Sequence, residues 1–198
     1  MDSFFQFFKH TTQSSCYNLY ILMTILYEWE VKYLFTIENY RNSLIKGLEA
    51  KSSDLIERLK ATTHLNYYKE IDLLDFTVFV QSFELSIVMF SMDGEANEVF
   101  YEGTEEGIFS GSYDVMDDIT YFTFSSEESD EFWDFYEKND AKLSELETKV
   151  IVEWFATCWN KAGGMNVTLP SYVSFHDDNE CYDLHNGKWI SDGDRWFD

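Results

Sequence analysis

The chain has 198 residues, enough for one sizeable domain, and is 45% hydrophobic and 19% aromatic, so its core is expected to rest on Phe, Tyr and Trp. Thirty-seven Asp and Glu stand against 14 Lys and Arg, a formal net charge of -23. That balance excludes electrostatic binding to nucleic acid or to an anionic membrane surface, and a single Pro with nine Gly argues against long disordered linkers.

The charge is lopsided. Residues 1–90 carry 11 acidic and 8 basic side chains, whereas residues 91–198 carry 26 and 6. A half of that kind attracts basic partners and speeds their encounter; the plainer reading is a solubility coat. The cysteines Cys16, Cys158 and Cys181 form no CxxC pair and are odd in number, which predicts a reducing compartment. No signal-peptide pattern is read at the N-terminus. The apolar run at 19–27 is too short to span a bilayer and meets Glu28 and Glu30. A cytoplasmic protein is expected.

In chain order, residues 3–9 form an aromatic turn or docking segment, and Tyr17–Phe35 reads as a mostly buried helix. Residues 37–61 make an amphipathic helix or a pair of helices. Ile37, Tyr40, Leu44, Ile45 and Leu48 form one stripe, Leu55, Ile56 and Leu59 continue it, and Ser52-Ser53-Asp54 marks a second start. Periodicity then changes. Phe76–Met89 is β-branched and aromatic, as one long strand or two short ones. A turn at Met92–Ala96 leads to a possible return strand at Glu98–Tyr101, and Ile119–Phe124 alternates as another strand. The middle is expected to be a small antiparallel sheet with acidic connections.

Ser125–Glu131 reads as a helix start: serines cap exposed amides and carboxylates suit the positive end of the dipole. Asn139-Asp140 either breaks this helix or lies in one long helix continuing to Gly163; a break or bend is favoured, with Asp140 capping a second helix that ends at Gly163-Gly164. Leu143, Leu146, Val150, Ile151, Trp154, Phe155 and Cys158 form its apolar stripe. Glu145, Glu147 and Glu153 are assigned to solvent, and Trp159 lies beside the stripe. Tyr172–Phe175 and Cys181–Leu184 then read as a hairpin, with an Asn186-Gly187 turn before Lys188-Trp189-Ile190. The whole is a single α+β domain over residues 1–198: N-terminal helices, a central antiparallel sheet, a long C-terminal helical segment and a terminal hairpin.

Catalytic signatures are sparse. GxSxG, HExxH, glycine-rich phosphate loops and EF-hand spacing are absent from the sequence. A metal-dependent hydrolase would have to use His176, Asp178, Asp183 and His185, a set equally well read as a polar turn with histidines on its rim. The remaining signal is for binding. Glu105 and Glu106, then Asp114, Asp117 and Asp118, then Glu127, Glu128, Asp130, Glu131 and Asp134 could form a negative face, with Trp133 as an anchor within it.

The block VIVEWFATCWNKAGG, followed by LPSYVSFHDD and CYDLHNGKWI, resembles the C-terminal part of small acidic immunity proteins of bacterial polymorphic-toxin and contact-dependent inhibition systems. In such families a helix with a W-x3-C-W-like centre, here Trp154, Cys158 and Trp159, leads into a short hairpin. The resemblance covers about a fifth of the chain. It implies a cytoplasmic, non-enzymatic protein without cofactor that binds one cognate toxin, a basic domain and commonly a nuclease. It carries no individual functional residue. A structural interaction module is the further alternative.

Overall fold

The computed structural model describes residues 35–196. The aromatic segment at 3–9, Cys16 and nearly all of the helix expected from Tyr17 lie outside the described residues. Helix α1 (Ile37–Glu49) starts where Thr36 Oγ1 accepts the Asn39 amide hydrogen at 3.1 Å. It buries Tyr40, Leu44 and Leu48 on one side. Two residues later α2 (Ser52–Thr62) buries Leu55, Leu59 and Thr62. The pair of helices is therefore realised, and both pack on the long helix α3 (Ser129–Ala162).

Helix α3 runs through Asn139-Asp140 without a break. No Pro or Gly occurs between 129 and 162, and Asn139 Nδ2 donates to the Phe135 carbonyl at 2.8 Å along its own helix. One buried face continues from Phe132 through Leu143 to Ala162 and outweighs the weak local preference of Asn-Asp for a turn. Asp140 therefore caps nothing. The start is built by Ser125 and Glu128, whose side chains reciprocally satisfy the backbone in a capping box. The end is as read: Gly163 takes the left-handed conformation, φ 88°.

The strands are β1 (Asn66–Tyr67), β2 (Leu73–Gln81), β3 (Glu84–Met92), β4 (Ile108–Phe109), β5 (Ser112–Thr120), β6 (Ser171–Phe175), β7 (Glu180–Asp183) and β8 (Lys188–Ser191). Strands β1 and β4 form a small parallel pair. The other six make one sheet in the order β5–β3–β2–β6–β7–β8. All its neighbours are antiparallel except β2 and β6, and that parallel pairing fuses the central strands with the C-terminal hairpin. The fold class is α+β. Two details differ from the sequence reading. Ser112–Thr120 is the strand, not Ile119–Phe124, whose Tyr121 and Phe122 leave the sheet to enter the core. Glu98–Tyr101 supplies only a single bridge, Met92 to Glu98.

Alternation sorts the sheet into two faces. Leu74, Phe76, Val78, Leu85, Ile87, Met89 and Val173 join the helices in the main core, where Phe76 meets both Phe155 and Trp159 at 5.1 Å between ring centres. Leu73, Tyr172 and Cys181 form a smaller cluster on the opposite face, beside Met92, Ile190 and Trp196. The turn between β2 and β3 is Ser82-Phe83, both at positive φ (51° and 67°). That geometry favours Asn-Gly and disfavours a bulky residue. Phe83 holds it because its ring lies 5.4 Å from Phe132 and 5.5 Å from Phe122. Tertiary burial outweighs the local cost.

Gly47 marks the closest approach of α1 to the rest of the core. A Cβ there would stand 2.0 Å from the Tyr121 carbonyl oxygen. Helix propensity alone would make Gly47→Ala stabilising by about 1 kcal/mol. Backbone cannot swing aside as a side chain can, so the expected result is a loss of about 2–3 kcal/mol, read as a lower urea midpoint.

Candidate acidic binding surface

Among the described residues, strand β5 is an edge of the sheet, paired with β3 alone. Its sequence SYDVMDDIT turns Val115, Met116 and Ile119 inward and leaves Asp114, Asp117 and Asp118 exposed. The register with β3 shifts between Leu85 and Val88, and Asp118 lies at φ 47°. The irregularity and the carboxylates together suit an edge that avoids casual strand pairing. The Asp118 amide donates to Ser86 Oγ at 3.1 Å, and Thr120 Oγ1 donates to Glu84 Oε1 at 3.2 Å, which fixes this end of β5 to the β2–β3 hairpin.

The start of α3 meets the same hairpin. Trp133, 42% exposed, packs its ring 5.8 Å from Phe83 and 5.9 Å from Phe124. Glu127, Asp130, Glu131 and Asp134 are exposed around it, whereas Glu128 is half-buried in the cap. Hydrogen bonds from the Ser125 hydroxyl and amide hold the Glu128 carboxyl below its ordinary range. The structure thus brings Asp117, Asp118 and the α3 start together around the hairpin and adds Glu84, which the sequence reading missed. It does not bring Glu105 and Glu106 there. They lie on the loop before β4, at the other end of β5, where the Glu105 amide donates to Tyr101 Oη at 3.3 Å.

Two grooves flank the hairpin end. One of about 570 Å³ runs between α2 and β5 and mixes Lys51 and Arg58 with Asp54, Glu57, Asp117 and Asp118. The other, of about 480 Å³, crosses the hairpin toward the end of β6 and is lined by Phe79, Val80, Ser86 and His176 with Glu84, Asp118 and Asp177.

The residues of the metal reading are dispersed. His176 stacks on Phe79 at 5.0 Å, with Asp177 Oδ2 2.9 Å from its Nδ1. Asp183 is buried and turned inward, accepting from the His185 and Asn186 amides and from Asn186 Nδ2 at 2.6–3.0 Å. Burial would raise its carboxyl, but those hydrogen bonds prevail and hold it low. Among the described residues no three His, Cys, Asp or Glu side chains are placed to hold one metal ion. Cys158 and Cys181 are free and buried; desolvation pushes the Cys181 thiol up to about 12.

The strongest departure from the sequence reading is Glu147, which is 7% exposed. Its Oε1 accepts from Tyr40 and, at 3.1 Å, from Tyr136; its Oε2 accepts from Tyr121 at 3.2 Å. Desolvation raises the Glu147 carboxyl above its ordinary value, against the three hydrogen bonds, and burial likewise raises all three tyrosines. A carboxylate with a raised pKa is a familiar catalytic sign, but neither groove at the hairpin end is lined by Glu147 or its tyrosines. The cluster ties α1, the segment after β5 and α3 together.

Comparison with known proteins gives no match: no family model, no curated protein and no solved structure matches this chain. No described helix is long and apolar enough to cross a membrane. The functional reading therefore rests on the surface itself.

Proposed function

We propose that this chain is a non-enzymatic, cytoplasmic protein of the immunity type, which neutralises a cognate basic toxin domain by covering it with the acidic surface around the β2–β3 hairpin. One observation supports this most: an edge strand carrying three exposed carboxylates adjoins a half-exposed Trp133 seated on a rigid aromatic base. Carboxylates of that kind steer a basic partner, and a large aromatic fixed in place supplies contact area at little entropic cost. The partner is a protein and not a nucleic acid, because the same surface repels phosphate.

The test begins with the reading frame beside this gene. Expressed alone it is expected to arrest growth, and this chain is expected to relieve the arrest. The purified pair should associate roughly tenfold more slowly when salt is raised from 0.05 to 0.5 M. Combined Asp117→Asn, Asp118→Asn, Glu127→Gln and Glu131→Gln substitutions should slow association while leaving the thermal midpoint within a few degrees. A harmless neighbour, an arrest that this chain does not relieve, or a rate indifferent to salt would count against the proposal.

A further inference from the structure

The groove of about 480 Å³ at the hairpin end differs in kind from the acidic surface around it. Four residues cross the sheet there in a row. His176, just past β6, stacks on Phe79 of β2 with ring centres 5.0 Å apart and planes 34° apart. Phe79 is paired in register with Ser86 of β3. Ser86 Oγ accepts the amide hydrogen of Asp118 on β5. The floor is thus aromatic on one side and reaches Asp118 on the other. Glu84 and Asp177 stand on the rim.

We propose that this groove receives an arginine side chain of the basic partner, its guanidinium against the Phe79–His176 pair and beside the Asp177 carboxylate, while Asp118, three strands across the sheet, draws it in over a longer distance. The inference rests on the binding reading above and gives it a place. The chemistry is selective in two respects. A guanidinium is planar and weakly hydrated, so it stacks on an aromatic floor where an ammonium would keep its water. Its forked donors suit the Asp177 carboxylate beside that floor. Asp177 also contacts His176 Nδ1 at 2.9 Å, which holds the imidazole over Phe79, and Glu84 is steadied by Thr120.

The experiment uses the full chain and an acetylated Gly-Gly-Arg-Gly-Gly amide as probe, followed by amide and aromatic NMR shifts. Binding on the order of millimolar is expected, with shifts concentrated at Phe79, Val80, Ser86 and His176. The lysine version of the peptide should bind at least about threefold more weakly. Asp118→Asn with Asp177→Asn should weaken binding at least about fivefold, whereas Glu105→Gln with Glu106→Gln should leave it unchanged. Shifts spread evenly over the acidic loops, equal binding of the lysine peptide, or equal loss in the two variants would overturn the proposal. So would concentration-dependent shifts at the groove without peptide, which would assign it to a second copy of the chain. The growth assay separates this inference from the one beneath it. If the Asp118→Asn, Asp177→Asn chain protects and binds its toxin as the unchanged chain does, the groove proposal fails and immunity stands. If the peptide binds in the groove of a chain that protects against nothing, immunity fails and the groove stands.

Discussion

Replacement of Glu147 by alanine is expected to lower stability by about 3–5 kcal/mol, among the largest effects of any single substitution in the chain. The reason is the hydroxyls left behind. Tyr40 and Tyr121 are each 2% exposed and both donate to this carboxylate. A buried hydroxyl without an acceptor costs about 1–3 kcal/mol. Tyr136 is half-buried and can turn to water, so it adds less. The cavity left by the side chain completes the loss. Urea denaturation gives the number. Glu147→Gln keeps one acceptor oxygen and should cost about 1–2 kcal/mol at neutral pH. A Glu147→Ala chain as stable as the original would show that the four groups are independent of one another.

The same carboxyl gives a pH signature. Its native value is raised above the ordinary 4.5. Between those two values the native state holds a proton that the unfolded state has lost. Stability therefore falls as pH rises through that window, and this group favours folding most below 4.5. Carboxyls held low by partners, Asp93, Glu128 and Glu145, act in the opposite direction. The difference between the original chain and Glu147→Gln isolates the effect. That difference should move in favour of the Gln variant as pH is raised from 4 to 7. A constant difference would mean that Glu147 ionises in the core as it does in the open chain.

Glu147 also shows where sequence reading fails. Leu143, Ile151 and Phe155 recur at multiples of four, and position 147 falls between them on the same stripe. The sequence reading nevertheless set it outside the stripe, on the solvated face, because it is charged. Its acceptors' donors, Tyr40 and Tyr121, are 107 and 26 residues away in sequence, beyond the reach of any local pattern. The helix end at Gly163, the paired helices 37–62 and the hairpin from Ser171 were legible because each depends on neighbours in sequence. The Ser82-Phe83 turn and the unbroken helix at Asn139-Asp140 were not, because distant aromatic packing decides both. The acidic surface was legible in content. Its convergence on one hairpin was not, since it depends on β5 being an edge and on Phe83 bringing the start of α3 to the turn.

Replacement of Arg195 by alanine should likewise cost about 3–5 kcal/mol, for the loss of a buried charge rather than of hydroxyl acceptors. The Arg195 side chain is 7% exposed. Its Nη1 approaches Asp75 Oδ1 to 2.7 Å, at an angle that makes the contact ionic more than a formed hydrogen bond, and its Nη2 lies 2.7 Å from Asp192 Oδ1. The guanidinium carbon stands 4.4 Å from the centre of the Trp196 ring. Asp75, the third residue of β2, is 6% exposed and among the described residues keeps only hydroxyls once Arg195 is gone: Ser174 at 3.0 Å and Thr77 at 3.4 Å. A buried carboxylate so placed must draw in water. The turn at Asp192–Arg195 should then lift from the sheet and uncover the small cluster of Leu73, Tyr172 and Cys181. Cys181 reports that opening directly. Its thiol is buried and pushed up to about 12 in the native state, so a thiol reagent at pH 8 should scarcely label it. In Arg195→Ala the labelling should be many times faster, with the modified cysteine identified by mass. Removing both charges, as in Asp75→Asn with Arg195→Met, should recover most of the stability, because the cost lies in the unpaired charge. A double variant as unstable as the single one would instead assign the loss to packing of the arginine stem against Trp196.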